Sequence, residues 1–535
     1  MKRTVGFAAL AVVIAGCAPK EVNYAVNIVT QSCDAASNPF EGVQFLKVKI
    51  SGDEMEVKTA VSAANTATPQ IKIPEIPAGK NRVIEVRAYD AEPSGGGRVV
   101  SIGRSPSFDV PDVVPEELMG GSIKVNVILR KVNAFAPIVS AAAPTQCQGL
   151  RVNRAGHTAT LLKNGKVFIA GGYNFKQGSA EKKALADTEL FNPATGAFEL
   201  GKPISITSQG AVYELPRAYH TATLLQSGQV MLWGGETYGG GANNQQSIIS
   251  TILFYDSDVD DYGAIGPRTP AQIARSHHAA AVDANGKVLI VGGVTKLGSN
   301  GSIVPVNEVE WLDPSNNLYK IIDGVMLPRL DPVVMPVKKG EFIAVAGGSD
   351  GSNMKTDISF FKFTGNVFGQ VQQATPPRIA DPGRRAAAGA LIRDGADLLI
   401  LGGYGTVTMP SPVASSEVLN AAASTVTPGP DVRSARGELC AVTLPDGTVL
   451  AIGGRTVDGS VPRADATAVL ITAAATGGVT SIGAPNLPRA RYAHTCTALA
   501  DGTVLVTGGI NETSAGAIEI LQDAYIFTPP PPPDE

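Results

Sequence analysis

The sequence has little charge and few aromatic residues: charged residues make up 17% of its 535 positions and aromatics 6%, with two Trp, five His and five Cys. A formal net charge of −4 gives no basic field to hold a polyanion, which excludes nucleic acid as a partner class. No CxxC pair and no Cys/His spacing of a zinc site occurs. Beyond the N-terminus no run approaches the ~20 apolar residues that a membrane-spanning helix needs. Long windows with a 3.6-residue apolar period are missing as well, so the chain does not read as helical. What it has in quantity is glycine (59) and proline (37) between short apolar runs, which reads as an all-β protein rich in turns. Its length is enough for two or three domains.

Residues 1–16 read as an export signal: Lys2 and Arg3, an apolar run from Val5 to Ile14, then small residues. Ile14-Ala15-Gly16-Cys17 resembles the lipobox of bacterial lipoproteins. The resemblance implies cleavage before Cys17, lipidation of Cys17 and a tether over residues 17–23. Ala18 is not the aspartate of inner-membrane retention, so the expected address is the outer membrane, with a soluble body held by its lipid. Export puts the other four cysteines in a disulfide-permissive compartment. Cys33 and Cys147 lie near the ends of the first domain and are the expected pair. Cys440 and Cys496 fall in apolar strands and read equally well as free buried thiols.

Residues 24–132 alternate apolar and polar positions in VQFLKVKI, QIKIPEI, RVIEVRAY and GSIKVNVIL, separated by turn clusters. About seven strands in this span predict a β-sandwich of immunoglobulin or fibronectin type. An Ala/Pro-rich stretch over residues 133–150 reads as a linker, and residues 529–535 as a proline-rich tail. Between them, over residues 151–528, a double glycine recurs at Gly171, Gly234, Gly292, Gly347, Gly402, Gly453 and Gly508, every 51 to 63 residues. Six residues before each pair stands a turn glycine, or seven in two of the units, and eleven before that an arginine: Arg154, Arg217, Arg275, Arg329, Arg384, Arg436 and Arg491. Asn-Gly and Asp-Gly at most of these turns supply the positive φ of a tight hairpin. A third strand follows a longer loop (TELFNP, ILFYDS, VEWLDP, ISFFKF, SEVLNA, TAVLIT, IEILQD), and a short fourth strand ends four units. Four strands in each of seven units predict a seven-bladed β-propeller, in which no unit is stable alone.

The double glycine after an apolar strand, the upstream arginine and the third-strand pattern resemble kelch repeats across about residues 150–528. The family's usual Tyr and Trp are replaced by Phe, Leu or Ile in the last two strands, most visibly in units 5 to 7.

All five histidines fall in the repeat register: His157, His220, His278 and His494 at one position, with His277 beside one of them. A histidine repeated around a ring reads as packing rather than catalysis. The repeat arginines, Arg154, Arg217 and Arg275 among them, allow an anion-binding ring. Pairing with Glu189, Glu310, Glu417 and Glu519 of the third strand is the favoured reading, because buried arginine needs partners. The double glycines do not make a phosphate loop. Asp256-Ser-Asp258-Val-Asp260 has calcium-loop spacing but lacks the glycine and glutamate, and reads as a solvated turn. Ligand contacts are expected in the long loops of units 1 to 3, at Tyr173, Tyr238, Asn243 and Asn244. No catalytic residue, metal or cofactor is assigned. The function so read is a lipid-anchored, monomeric propeller that binds a protein or glycan at the cell envelope. The alternative is a carbohydrate-active enzyme, mutarotase-like or galactose-oxidase-like, working in the propeller funnel. A solitary inward-facing cluster of Arg, Glu and Tyr, out of step with the repeat, would favour the alternative.

Overall fold

The computed structural model describes residues 23–64, 71–112, 122–176, 179, 181–240, 245–264, 273–297, 303–407, 411–475, 477–513 and 515–532. Every regular element among them is a strand, apart from two single 3-10 turns.

Residues 23–131 form two layers. One is a sheet of Lys58–Ala63, Phe45–Ser51, Gly79–Tyr89, Val99–Arg104 and Arg130–Lys131, with Phe108–Val110 also pairing on Gly79–Tyr89. The other is a parallel pair, Asn23–Val29 with Ser122–Ile128. Phe45–Ser51 alternates as the sequence does, so Leu46, Val48 and Ile50 all point inward. Leu46, Val48, Ile84 and Val86 meet Val26, Ile28, Val125 and Val127 in one core. Over residues 71–76 the expected strand does not form. Pro74 and Pro77 deny it ladder donors, and Ile71, Ile73 and Ile76 pack on the core as extended chain.

Seven antiparallel sheets follow, A to G in chain order. Sheet A is Thr158–Leu161, Val167–Ala170, Thr188–Asn192 and Ala197–Leu200, paired in that order. Sheets B to F repeat the plan, beginning at Thr221, Ser276, Val333, Ala388 and Cys440. In each, the second strand is buried on both faces and the first is only partly covered. First strands touch those of the next sheet all the way round, and the first strand of G touches that of A. The architecture is a β-propeller with these first strands around a central channel.

The double glycines stitch neighbouring sheets together. Both glycines of every pair have positive φ. The second N–H donates to the carbonyl of the next sheet's repeat arginine, from Gly172 to Arg217 at 2.8 Å round to Gly509 to Arg154 at 2.9 Å. A Cβ on Gly171 would stand 2.4 Å from the Arg217 carbonyl oxygen, and one on Gly508 2.5 Å from that of Arg154. Only glycine permits this approach.

Two sequence assignments are corrected here. Residues 133–150 are not a linker. Ala134–Ser140 pairs with Ala524–Thr528 as the outer strand of sheet G, and Ala143–Gln148 follows it. Phe135, Ile138 and Val139 are buried there, so the run covers a sheet edge although its composition looks like a spacer. IEILQD (residues 518–523) is not the third strand of the last unit either. Ile518–Ile520 closes a hairpin with Ile510–Glu512, and the third strand is Ala524–Thr528. The acid facing Arg491 is therefore Asp523, at 2.8 Å, while Glu519 pairs with Arg489.

Cys33 and Cys147 are disulfide-bonded, as are Cys440 and Cys496, which join the first strands of sheets F and G. Pro529–Pro532 lies in a cleft of about 290 Å³ between the N-terminal layers and the propeller. There the Pro532 carbonyl accepts a hydrogen bond from Arg87.

Candidate functional site

The repeat arginines do not face a ligand. Arg154, Arg217 and Arg275 are fully buried. Arg154 donates to the Gly171 and Asp187 carbonyls and pairs with Glu189 at 2.7 Å. Arg275 pairs with Glu310, Arg329 with Asp357, Arg384 with Glu417 and Arg436 with Asp465. Arg217 has no carboxylate and uses the Thr251 hydroxyl and carbonyl instead. Burial draws its pKa down to about 10. The arginine ring is a set of internal braces.

Three of the repeat histidines are braces too, and the fourth, His494, is buried beside them. Nε2 of His157, His220 and His278 meets threonine hydroxyls of the preceding sheet at 3.0–3.1 Å, and burial holds all three, with His494, far below the ordinary imidazole pKa.

Two residues after each arginine the backbone turns left-handed, at Gly156, Tyr219, His277, Asp331, Ala386, Glu438 and Ala493, with φ between 49° and 60°. Six of the seven are not glycine, so this conformation is imposed on them by the fold. A belt of hydrogen bonds does so: Tyr219 N–H donates to the Gly156 carbonyl, His277 to Tyr219, Asp331 to His277, Ala386 to Asp331, Glu438 to Ala386, and Gly156 to Ala493. The belt rings the channel mouth, and with the repeat histidines it lines a cavity of about 440 Å³.

The side chains on the belt do not repeat. His277 Nδ1 lies 3.0 Å from Asp331 Oδ1, and Arg385 Nη1 lies 3.1 Å from Asp331 Oδ2. Tyr219 stacks on the His277 ring at 4.2 Å. The residue after each double glycine sits over the belt and adds Tyr173, Glu236, Tyr404 and Arg455. Tyr404 donates to Glu438 at 3.0 Å, Tyr238 donates to Glu236, and Arg455 grips Glu512 through two nitrogens at 2.7 and 2.9 Å. Lys182 hangs over the rings of Tyr173, Tyr219 and Tyr238.

Burial opposes the His277 cation, but the Asp331 carboxylate outweighs it and raises the histidine pKa. Burial also opposes the Asp331 anion, and there His277 and Arg385 win, so its pKa is lowered. For Glu438, burial raises the pKa, Asp331 adds to the rise and the Tyr404 hydrogen bond resists it. Burial takes Tyr173 up to about 12. The mouth therefore holds an imidazole and a carboxyl that are both shifted toward binding a proton. That arrangement can donate and accept protons, and it offers aromatic faces and many hydrogen-bonding groups to a small polar ligand.

Of the residues expected from the sequence, Tyr173 and Tyr238 belong to this cluster. Asn243, Asn244 and Cys17 lie outside the described residues. Sequence reading missed Tyr219, His277, Asp331, Arg385, Glu438, Glu236 and Arg455. The available signal was variation: the belt position reads Gly, Tyr, His, Asp, Ala, Glu, Ala inside an otherwise strict register.

No protein-family model matches the chain, and no curated protein is similar to it in sequence. Among solved structures, a fungal alcohol oxidase of the AA5 family, in complex with copper, is 17% identical with a TM-score of 0.52. The match covers 75% of this chain and 77% of that one. The structure of YjhT is 16% identical with a TM-score of 0.44, over 62% of this chain and 99% of that one. The first likeness is one of fold. Among the described residues no three His, Cys, Asp or Glu side chains are grouped to hold a metal ion. His277 is tied to Asp331, and Cys33, Cys147, Cys440 and Cys496 are consumed in disulfides.

Proposed function

We propose that this chain is an exported, lipid-anchored, seven-bladed kelch-type propeller, carried behind an immunoglobulin-like sandwich, that binds a saccharide in its channel mouth. One observation carries the reading. Tyr219, His277, Asp331 and Glu438 project from the belt at positions where the repeat imposes backbone but not side chain. Aromatic faces next to carboxylates and fixed cations are what a polyol needs for stacking and paired hydrogen bonds. The cavity has the volume of a small-molecule site, and its recess suits a ligand rather than a flat protein surface. The anchor at Cys17 and the outer-membrane address rest on the N-terminal sequence. The test is a glycan array followed by calorimetry with a soluble protein beginning at residue 23. Binding that survives in wild type and is lost in Asp331→Ala and Tyr219→Ala supports the reading. Binding unchanged in both variants overturns it.

A second reading is favoured by the His277–Asp331 pair beside Glu438. An imidazole raised and a carboxyl raised toward neutrality can shuttle protons on a bound sugar, as a mutarotase-like enzyme requires. Anomer exchange of bound reducing sugars, followed by NMR with wild type and His277→Gln, separates enzyme from binder.

A further inference from the structure

The tyrosines over the belt make a cage around a cation. Tyr173 and Tyr219 have ring centres 5.8 Å apart, as do Tyr173 and Tyr238. The Lys182 ammonium lies 4.4 Å from the centre of the Tyr173 ring, 5.4 Å from that of Tyr238 and 5.9 Å from that of Tyr219. Three electron-rich faces around one point form a site for an ammonium group. Glu236 supplies the opposite charge. It is 2% exposed, and its Oε1 accepts from the Tyr238 hydroxyl. Its Oε2 is buried and accepts no hydrogen bond, with His277 Nε2 3.8 Å away. A buried carboxylate oxygen without a donor is costly unless something supplies one.

Lys182 is a poor permanent occupant. It reaches the cage from Lys182–Ala184, the returning strand of the short hairpin begun by Tyr173–Phe175. Burial disfavours its charge, as the lowered pKa of its amine records. Its neighbour Lys183 is exposed, so the hairpin edge stands at the solvent boundary. A flexible four-carbon stem can withdraw into water without disturbing the sheets.

We propose that the cage of Tyr173, Tyr219, Tyr238 and Glu236 receives the ammonium group of an amino sugar, and that Lys182 holds this place until the ligand displaces it. The proposal rests on the saccharide reading above and deepens it. The ligand amine takes the position of the lysine amine and donates to Glu236 Oε2, while the sugar ring extends toward His277 and Asp331. Lys182 thereby sets a threshold: a neutral sugar gains nothing by evicting it, and an amino sugar replaces one cation with another.

The test is calorimetry with glucosamine, glucose and N-acetylglucosamine, at a pH where the amine is protonated, on wild type, Lys182→Met and Glu236→Gln. Met keeps the apolar stem and removes the charge, and the site is at a hairpin edge, so folding is retained. Glucosamine should bind best, should tighten about tenfold in Lys182→Met, and should lose its advantage in Glu236→Gln. Equal binding of the three sugars with no response to Lys182→Met overturns the cage and leaves the saccharide reading standing. Tetramethylammonium is the sugar-free probe. Ring-proton shifts at Tyr173 and Tyr238 that grow in Lys182→Met support the cage even if no sugar binds. Absence of shifts in both proteins overturns it.

Discussion

Four buried, neutral histidines make the propeller acid-labile, with a slope that can be worked out. His157, His220, His278 and His494 are buried, and burial pushes each imidazole pKa down, that of His494 to about 3. In the unfolded chain each returns to about 6.5. Below that value the unfolded state binds protons that the folded state refuses, so stability falls as pH drops from about 6.5 toward the folded values. Each histidine contributes about 1.4 kcal/mol per pH unit once its unfolded form is charged. At about pH 5 the four take up close to four protons on unfolding. Glu438 acts in the opposite direction, since its raised pKa keeps a proton in the folded state that the unfolded chain partly releases. It offsets at most one of them. His277, raised by Asp331, is charged in both states at that pH and drops out. The net is between three and four protons, or roughly 4–5 kcal/mol lost per pH unit near pH 5. Urea unfolding at several pH values between about 5 and 6.5 measures this directly. An uptake below one proton would refute the assignment of neutral braces. His494→Leu copies Leu439, the residue at the same position in sheet F, and neither nitrogen of the His494 ring is hydrogen-bonded. It should remove about one proton from the slope and raise stability at about pH 5.

Two further outcomes follow. His277 should be the one histidine with an imidazole midpoint above 6.5 by ring NMR, and Asp331→Asn should move that midpoint down, because the carboxylate is what outweighs burial. A midpoint unmoved by Asp331→Asn rules out that cause. The Cys440–Cys496 bond closes a span of 56 residues between the first strands of sheets F and G, beside the sheet completed by Ala134–Ser140. Loop entropy assigns such a closure up to about 4 kcal/mol, so a Cys440→Ala/Cys496→Ala protein should lose about 2–4 kcal/mol in denaturant unfolding. A loss below about 1 kcal/mol would show that the glycine stitching alone holds that junction.

The propeller was legible because its recurring residues each satisfy a backbone or charge requirement. Gly171 and its equivalents repeat because a Cβ cannot fit against the next sheet's carbonyl. Arg154 and its equivalents repeat because they fasten the double-glycine strand to the third strand in most sheets. What was not legible was non-local or irregular. Ala134–Ser140 meets a partner almost four hundred residues away, so nothing near it in sequence marks it as a strand. Ile518–Ile520 carries the apolar pattern of a third strand but sits in a crown hairpin, because the loop before the true third strand is long enough to hold one. The candidate site was hidden in a different way. Repeated residues and long loops carry the plainest signals in the sequence, whereas the mouth is built largely from a short, strict segment.

That segment separates what the repeat requires from what the proposed site would use. The double-glycine contact between sheets is the same at every junction, so the glycines and arginines that make it recur seven times. The proposed small ligand would have no sevenfold symmetry, so residues that touched it would have to differ from sheet to sheet. The belt position meets both demands: its backbone is held left-handed at all seven places, while its side chain differs from sheet to sheet. His277 and His278 show the division within one dipeptide. His278 sits in the repeat register, bonds Thr221 of the neighbouring sheet and stays neutral. His277, one residue earlier, stacks on Tyr219, pairs with Asp331 and leans toward the cation. In a repeat protein of this kind, a position with fixed backbone and variable chemistry locates a ligand better than a position where a reactive residue recurs.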